Sequence, residues 1–172
     1  MTNLILHVED EENDAFLMQH AFNKAGVTAP VHVATDGQQA LDYLKGEGKF
    51  SNRAEFPFPS LVLLDLKLPY VPGLDVVKFI RDTGLSVIVV ILSSSESEAD
   101  IAAAYRLGAN AYLVKPGDTS KLLDIAKGIQ QFWLTLNHAP PQPAAGHAAL
   151  TAALSAVCPS LTPNPGKSTR VT

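Results

Sequence analysis

Five side chains with complementary chemistry follow apolar stretches of the sequence, each near the point where a predicted strand ends. They are the carboxylates Glu9, Asp10 and Asp65, the hydroxyl of Ser93 and the ammonium of Lys115. Clustered carboxylates repel one another, and a hard divalent cation such as Mg²⁺, which prefers oxygen ligands, relieves that repulsion. A carboxylate beside the cation can serve as an oxygen nucleophile. These residue types therefore predict Mg²⁺-assisted phosphoryl transfer if the fold brings them together.

Asp65 is the expected nucleophile of this set, and its product would be an aspartyl phosphate. Phosphoryl transfer passes through a loose transition state whose charge lies on three equatorial oxygens, so catalysis depends on positioning and charge neutralisation. Mg²⁺ would take one of these oxygens, Lys115 the second, and the Ser93 hydroxyl would donate to the third. Taken singly, each residue has a purely structural explanation, since acids after a strand often cap the next helix. The prediction rests on their convergence.

The elements that must position these residues are visible as short apolar stretches alternating with longer patterns of helical periodicity. The predicted strands are 4–8, 31–34, 61–64, 87–92 and 111–114, and the predicted helices are 11–25, 37–45, 74–81, 97–107 and 119–136. The fourth strand is apolar throughout, as expected of a strand buried on both faces of a parallel sheet. We predict an α/β, flavodoxin-like (βα)5 fold, a doubly wound parallel five-stranded sheet of order 2-1-3-4-5.

This topology also predicts where the reactive side chains meet. In a sheet of this order, the ligand crevice lies beyond the carboxyl ends of strands 1 and 3, at the switch point. The acids Glu9 and Asp10 follow strand 1, and Asp65 ends strand 3. Ser93 follows strand 4, and Lys115 ends strand 5. We therefore expect all five side chains at one edge of the sheet.

Composition restricts the remaining function classes. All 17 acids and 11 of the 13 bases lie in residues 1–137, so this region carries a formal charge of −6. A folded region of this charge argues against nucleic-acid binding, which relies on a basic face. The single cysteine, Cys158, fits a reducing compartment, and no signal peptide or membrane-length apolar run is present. We expect a cytoplasmic protein without a membrane segment.

The last part of the chain differs in composition from the rest. Residues 138–172 contain six prolines, many alanines and no acid. Such a segment lacks the pattern of a packed core, and we predict a disordered tail there. The folded domain is expected at residues 1–137.

The sequence resembles the receiver domain of two-component response regulators over about residues 3–136. The resemblance rests on motifs at residues 8–10, 63–69 with Gly73, 92–95 and 108–116. It implies that Asp65 accepts a phosphoryl group from a phosphohistidine of a sensor histidine kinase. It also implies that Asp10 ligates Mg²⁺ directly, Glu9 through water, and Lys67 through its backbone carbonyl.

The same resemblance implies a switch. Ser93 would be the switch hydroxyl, Lys115 the phosphate partner, and Tyr112 the aromatic residue that turns inward when Ser93 moves to the phosphate. The Lys115–Pro116 peptide is expected to be cis. No second folded domain is expected, so output would come from protein–protein contact through helix 4, strand 5 and helix 5. The protein would then be a phosphorylation switch rather than a conventional enzyme.

A narrower likeness concerns the stand-alone regulators paired with bacterial phytochrome kinases. It rests on the long loop before strand 3, on residues 36–44 and on residues 132–134. In that group the last helix helps form a homodimer, and the candidate dimer residues are Leu123, Phe132, Trp133 and Leu134. At about 100° per residue, one stripe of this helix should face the core. Its members are Leu122, Ile125, Ala126, Ile129, Trp133 and Leu136.

Two alternative functions use related features. A pseudo-receiver would be a binding scaffold of the same fold without phosphotransfer, and the complete set of reactive side chains argues against it. A phosphatase of the haloacid dehalogenase type also uses an aspartate after a strand. That enzyme needs a second aspartate two residues later, where this chain has Lys67.

Overall fold

The computed structural model describes residues 3–138, and every structural statement below refers to this part of the chain. It contains one parallel sheet of the predicted order, β2-β1-β3-β4-β5. The strands are β1 (Ile5–Val8), β2 (Val31–Ala34), β3 (Leu61–Leu64), β4 (Ile88–Ser93) and β5 (Ala111–Val114). The helices are α1 (Glu12–Lys24), α2 (Gly37–Lys45), α3 (Gly73–Asp82), α4 (Glu98–Arg106) and α5 (Leu122–Gly128). Short 3₁₀ turns lie at Gly48–Phe50 and Thr119–Lys121, and α5 continues as a π-helical segment, Ile129–Leu136.

The predicted elements are confirmed to within about one residue at most ends. The α/β, doubly wound architecture is therefore as expected. The predicted tail lies outside the described residues apart from His138, so the domain boundary at residue 137 stays a prediction. None of the helices described at residues 3–138 is long and apolar enough to cross a membrane.

The sheet is buried between two apolar layers because successive side chains of a strand point to opposite faces. In β3, Leu61 and Leu63 enter the core beneath α1 and α5, together with Phe22 of α1. Val62 and Leu64 enter the opposite core, beneath α2, α3 and α4. Both faces of β1, β3 and β4 are buried, so these three strands form a fixed frame for the residues at their carboxyl ends.

The segment between α2 and β3 is held by a cluster of aromatic rings. Tyr43 packs against Phe50, Phe56 and His32, with ring centroids 5.0 to 6.0 Å apart. The Tyr43 hydroxyl donates to the backbone carbonyl of Pro57 at 3.0 Å. This long loop is therefore packed into the core beside α2.

Arg53 closes the same segment onto the end of α2. Its guanidinium donates to the backbone carbonyls of Tyr43 at 2.8 Å, Leu44 at 2.7 Å and Phe56 at 3.2 Å. The last carbonyls of a helix lack partners within the helix, so Arg53 satisfies two of them. It also joins them to the loop, through Phe56.

The second half of the last helix departs from the predicted stripe. Leu134, expected off the core, packs against the layer beneath α1 and α5, whereas Leu136, expected in the core, is 62% exposed. The cause is the π-helical turn, in which the N–H of Asn137 donates to the carbonyl of Phe132 at 2.7 Å. A π turn holds more residues than an α turn, so each residue advances by a smaller angle. Trp133 still contacts the core, as expected.

We expect Arg53→Ala to lower the free energy of unfolding by about 3 kcal/mol, because three backbone carbonyls lose a charged donor. Urea unfolding followed by circular dichroism measures this change. Arg53→Lys should recover less than half of the loss, since an ammonium lacks the planar fork of donors.

The matched control for this test is Arg106→Ala, at an exposed position in the last turn of α4. Its effect should stay within about 0.5 kcal/mol. A loss below about 1 kcal/mol for Arg53→Ala would contradict the role of Arg53 in holding the loop.

Candidate functional site

The carboxyl ends of β1, β3, β4 and β5 bring four of the five predicted side chains into direct contact. The Nζ of Lys115 lies 2.7 Å from Oε2 of Glu9 and 2.7 Å from Oδ2 of Asp65. The hydroxyl of Ser93 donates to Oδ1 of Asp65 at 2.7 Å. Ser93 is the last residue of β4 rather than the first residue after it. The predicted convergence is therefore observed for these four residues.

Asp65 is held as a carboxylate at the end of the buried strand β3. The backbone N–H of Lys67 donates to its Oδ1 at 3.1 Å, in addition to the bond from Ser93. Burial acts to raise the pKa of Asp65, but the hydrogen bonds from Lys115, Ser93 and Lys67 hold it below its ordinary value. Asp65 therefore carries a negative charge at neutral pH, with both oxygens directed by donors.

The loop after Asp65 is fixed by two close backbone approaches that only glycine permits. A Cβ added to Gly73 would lie 2.2 Å from the carbonyl oxygen of Asp65. A Cβ added to Gly37, at the start of α2, would lie 1.9 Å from the carbonyl oxygen of Val71. Both distances are far below any van der Waals contact. The starts of α2 and α3 therefore clamp the loop that carries Lys67.

Glu9 lies deep in the site, whereas Asp10 lies at its edge. The Glu9 carboxylate is buried, and burial raises its pKa to about 6, although Lys115 acts to lower it. Asp10 is half-buried, and within residues 3–138 it forms no side-chain hydrogen bond or ion pair. The two adjacent acids therefore have different surroundings, and only Glu9 contacts Lys115.

A third carboxylate, which the sequence analysis missed, also binds Lys115. Oδ2 of Asp14, in the first turn of α1, lies 2.9 Å from the Lys115 Nζ. Burial acts to lower the pKa of Lys115, but the hydrogen bonds to Asp65, Glu9 and Asp14 raise it above its ordinary value. The signal was available, because α1 begins directly after strand 1 and its first turn must border the crevice.

His7, in β1, is another buried residue that borders the site. It is 2% exposed, and its Nε2 lies 4.0 Å from Oε2 of Glu9. Burial lowers the pKa of His7 to about 4, with a further contribution from Lys115, so the ring is neutral at physiological pH. A cavity of about 50 Å³ borders His7, Glu9, Asp14 and Lys115. His7 is thus a core side chain of β1.

The arrangement has the chemistry of a Mg²⁺ site without a preassembled ligand cluster. The donors are hard carboxylate oxygens, the type that Mg²⁺ prefers. Within residues 3–138, however, no three acids or histidines are grouped as metal ligands. The ammonium of Lys115 stands between Glu9 and Asp65 and neutralises them. The donor set fits a hard cation, and binding requires this ammonium to share its partners.

Tyr112 connects β5 to the loop that follows Ser93. Its hydroxyl donates to the backbone carbonyl of Ser95 at 2.9 Å, and the side chain is half-buried. Burial raises the pKa of Tyr112. The Ser95 hydroxyl in turn donates to Oδ2 of Asp100 in α4 at 2.6 Å. The expected inward movement of Tyr112 on phosphorylation stays a prediction.

The expected cis peptide before Pro116 was wrong. Residues 3–138 contain no cis peptide bond, so the Lys115–Pro116 bond is trans. An X-Pro bond favours the trans isomer by only about 0.5–1 kcal/mol, so residue types alone do not select the isomer. The backbone N–H of Lys115 donates to the carbonyl of Ser93 at 2.8 Å.

A parallel sheet of order 2-1-3-4-5 with an acidic crevice at its switch point defines a flavodoxin-like α/β domain built to bind ligands at that edge. A lysine and a serine facing one buried aspartate narrow this class further. The chain belongs to the response regulator receiver domain family of two-component systems, whose model matches residues 5–127.

Two curated relatives match most of their own length. The probable methanogenesis regulatory protein FilR2 of Methanothrix harundinacea is 38% identical over 142 residues, covering 80% of this chain and 87% of that protein. Response regulator Rcp1 of Synechocystis sp. is 34% identical over 133 residues, covering 76% and 88%. The similarity therefore extends over most of the length of both relatives.

Solved structures with the same fold include regulators linked to phytochromes. The bacteriophytochrome response regulator RtBRR is 40% identical, with 94% of this chain and 96% of that chain covered and a TM-score of 0.64. The phosphorylated cyanobacterial phytochrome response regulator RcpA is 37% identical, with coverage of 82% and 100% and a TM-score of 0.75. The Mn²⁺-bound form of Rcp1 is 33% identical, with coverage of 81% and 99% and a TM-score of 0.73.

The raised pKa of Glu9 predicts a pH-dependent effect of Glu9→Gln in buffer with a metal chelator. Because its folded-state pKa, about 6, exceeds its ordinary value of 4.5, the stabilisation from its bound proton is complete below pH 4.5. It is lost as the pH rises through 6. At pH 7.5, Glu9→Gln should therefore raise the free energy of unfolding, measured in urea, by about 2 kcal/mol. This gain should vanish near pH 4.5.

Glu12→Gln, at an exposed position in the first turn of α1, is the control for the loss of one negative charge. It should show no comparable gain at pH 7.5. A Glu9→Gln variant less stable than wild type at pH 7.5, or a gain that does not change with pH, would refute the assignment of this titration to Glu9.

Proposed function

We propose that this chain is a phosphorylation switch in which Asp65 accepts a phosphoryl group from a phosphohistidine of a sensor histidine kinase. The observation that carries the proposal is the contact of one buried carboxylate with both Lys115 and Ser93, each at 2.7 Å. These three residues lie at the crevice of a receiver fold. The relative RcpA, solved in a phosphorylated form, supports the same chemistry here.

The transfer exchanges one bond to phosphorus for another. An oxygen of Asp65 bonds to phosphorus as the bond to the imidazole nitrogen of the donor breaks, and the histidine keeps the electron pair. Charge develops on the three equatorial oxygens, where positioned donors stabilise it. Lys115 and the Ser93 hydroxyl are such donors, since both already touch the accepting carboxylate.

Mg²⁺ is the proposed cofactor, bound by Asp10 and Asp65 directly, by Glu9 through water and by the backbone carbonyl of Lys67. The half-buried Asp10 has no competing partner within residues 3–138, which suits a direct ligand. When bound, Mg²⁺ would neutralise charge on the carboxylates and on the phosphoryl oxygens. The Mn²⁺-bound form of Rcp1 supports a divalent cation at this type of site.

Output would come from protein–protein contact at the surface made by α4, β5 and α5. Tyr105 of α4 is exposed, and its hydroxyl accepts a hydrogen bond from the backbone N–H of Tyr112 at 3.2 Å. Val114 of β5 is exposed as well. Movement of Ser93 towards a phosphoryl group would alter the packing of Tyr112 and so shift an existing equilibrium of this surface. We place this signalling in the cytoplasm, in line with the single cysteine.

The partner kinase is proposed to be of the phytochrome class. RtBRR and RcpA are both named as phytochrome response regulators, and RtBRR covers 94% of this chain at 40% identity. FilR2 is named for methanogenesis, so the proposal rests on these solved structures and on the sequence resemblance of the loop before β3 to that group. The test compares the rate of phosphotransfer to this chain from a phytochrome kinase and from an unrelated sensor kinase. Transfer from the phytochrome kinase should be faster.

The main alternative is a pseudo-receiver that binds partners without being phosphorylated. We expect wild type to gain one phosphoryl group when incubated with Mg²⁺ and acetyl phosphate, because Asp65 is ionised and faces Lys115. Intact-mass measurement detects this gain. Asp65→Asn should gain none, and Asp82→Asn, which removes an exposed carboxylate of α3, is the control that should behave as wild type.

Equal labelling of wild type and Asp65→Asn would overturn the assignment of the acceptor. No labelling of wild type in the presence of Mg²⁺ would favour the pseudo-receiver instead.

We also propose a homodimer through the last helix, on a surface narrower than the sequence indicated. Trp133 and Leu134 pack on the core of their own chain, and Leu123 is half-buried. Phe132 is 54% exposed and lies on the same π-helical segment as the exposed Leu136. Exposed apolar residues that adjoin one another are typical of contact surfaces. Phe132 therefore becomes the central candidate.

Phe132→Ser is expected to weaken the dimer about tenfold or more, since a buried aromatic is often a main contributor at an interface. Sedimentation velocity over a concentration series, with and without beryllofluoride, measures the dissociation constant. Phe16→Ser, at another exposed phenylalanine on α1, is the matched control and should leave it unchanged. A wild-type protein that is monomeric in both states would exclude the dimer.

A further inference from the structure

Asp14 is the one carboxylate on Lys115 that has no part in the proposed phosphoryl chemistry. Its Oδ2 lies 2.9 Å from the Lys115 Nζ, although the two residues are 101 positions apart in the chain. The Asp14 side chain is 43% exposed, whereas that of Glu9 is 1% exposed and that of Asp65 is 6% exposed. Asp14 is therefore the solvent-facing member of the set.

The hydrogen-bonding capacity of Lys115 is fully used in this arrangement. An ammonium has three N–H donors and no acceptor. Lys115 has three carboxylate partners within 2.9 Å, namely Glu9, Asp65 and Asp14. A phosphoryl group on Asp65 would take over the contact that the Asp65 carboxylate makes now, and it can draw a second hydrogen bond from Lys115 only if Glu9 or Asp14 is released.

The cost of release differs among the three carboxylates. A buried carboxylate that loses its partner keeps the full penalty of desolvation, which applies to Glu9. The contact of Asp65 with Lys115 passes to the phosphoryl group that Asp65 would carry. Asp14 can exchange Lys115 for water, and an ion pair with a solvent-facing partner is weak. Asp14 is consequently the partner that is released most easily.

We propose that Asp14 is a positioning residue that holds Lys115 over Glu9 and Asp65 before phosphorylation, and that the phosphoryl group displaces it. This inference rests on the proposed phosphoacceptor function of Asp65. It adds a resting state in which Lys115 is restrained from the outer rim of the crevice. It also gives α1 a carboxylate whose partner changes with phosphorylation, because Asp14 belongs to the first turn of that helix.

The first test measures the restraint on Lys115 in the unphosphorylated protein. Wild type, Asp14→Asn, Asp14→Glu and Glu12→Gln are treated with a limiting amine-acetylating reagent, and acetylation of each lysine is quantified by peptide mass spectrometry. Lys127, exposed on α5, serves as the internal reference. In Asp14→Asn, Lys115 should be acetylated about threefold faster than in wild type, because its ion pair with Asp14 is lost. Asp14→Glu should restore the slow rate.

Glu12→Gln removes a negative charge from the same turn, but Glu12 does not contact Lys115. Lys115 of this variant should therefore be acetylated at the wild-type rate. An unchanged rate in Asp14→Asn would overturn the proposal. An equal increase in Glu12→Gln would also overturn it, because the effect would then follow net charge rather than the contact.

The second test measures displacement with beryllofluoride, a mimic of the phosphoryl group, at saturating Mg²⁺. Its dissociation constant is obtained from ¹⁹F nuclear magnetic resonance titration of the same four proteins. Asp14→Asn should bind about threefold more tightly than wild type, because no partner of Lys115 has to be released. Asp14→Glu and Glu12→Gln should match wild type. Equal or weaker binding by Asp14→Asn would overturn displacement.

The two tests separate this inference from the function on which it rests. If none of the four proteins binds beryllofluoride, the phosphoacceptor function and the displacement both fail. A threefold difference in acetylation would then still identify Asp14 as the residue that restrains Lys115.

Discussion

The ammonium of Lys115, placed among carboxylates at the carboxyl edge of the sheet, is the interaction on which the site depends. Glu9 and Asp65 are buried side by side, and two unneutralised carboxylates in such surroundings would raise each other's pKa or force one to protonate. Lys115 lies within 2.7 Å of both and so lets Asp65 stay ionised. The cost of burying this charge cluster remains visible in Glu9, whose pKa is raised to about 6. Burial of Glu9 therefore leaves an electrostatic cost in the crevice that a bound cation would reduce.

The packing of the sheet provides the rigidity that this charge arrangement requires. Strands β1, β3 and β4 are buried on both faces, so the positions of Glu9, Asp65 and Ser93 follow from two apolar cores rather than from the site itself. The close approach of Gly73 to the carbonyl of Asp65 removes remaining freedom from the next loop. Donors that are already in place need little reorganisation during phosphoryl transfer, which is the main protein contribution to that reaction.

Contacts lead from the site in two directions. One passes from Ser93, the last residue of β4, along the backbone to Ser95, whose carbonyl accepts a hydrogen bond from Tyr112 and whose hydroxyl donates to Asp100 in α4. The other passes from Lys115 to Asp14 in α1. Hydrogen bonds with identified donors connect both routes to a helix or strand beyond the site. A change in charge at Asp65 would therefore be felt first by these two helices, which lie on opposite faces of the sheet.

Much of this protein follows from its sequence alone. The strands are short, largely apolar stretches, and their alternation with helical patterns indicates a parallel sheet. Parallel strands place their carboxyl ends at one edge, so the convergence of Glu9, Asp65, Ser93 and Lys115 followed without knowledge of any contact. The motif glycine Gly73 was recognised as well, although its close approach to Asp65 was not.

Tertiary structure alone decided the remaining features, because each depends on contacts or backbone geometry that periodicity does not encode. The ion pair between Asp14 and Lys115 joins residues 101 positions apart, and which first-turn side chain of α1 reaches the crevice depends on how that helix packs. The π-helical turn moved Leu134 into the core and Leu136 out of it, since the predicted stripe assumed an unbroken α-helix. The trans bond before Pro116 is likewise one of two isomers of similar energy, between which residue types alone do not decide.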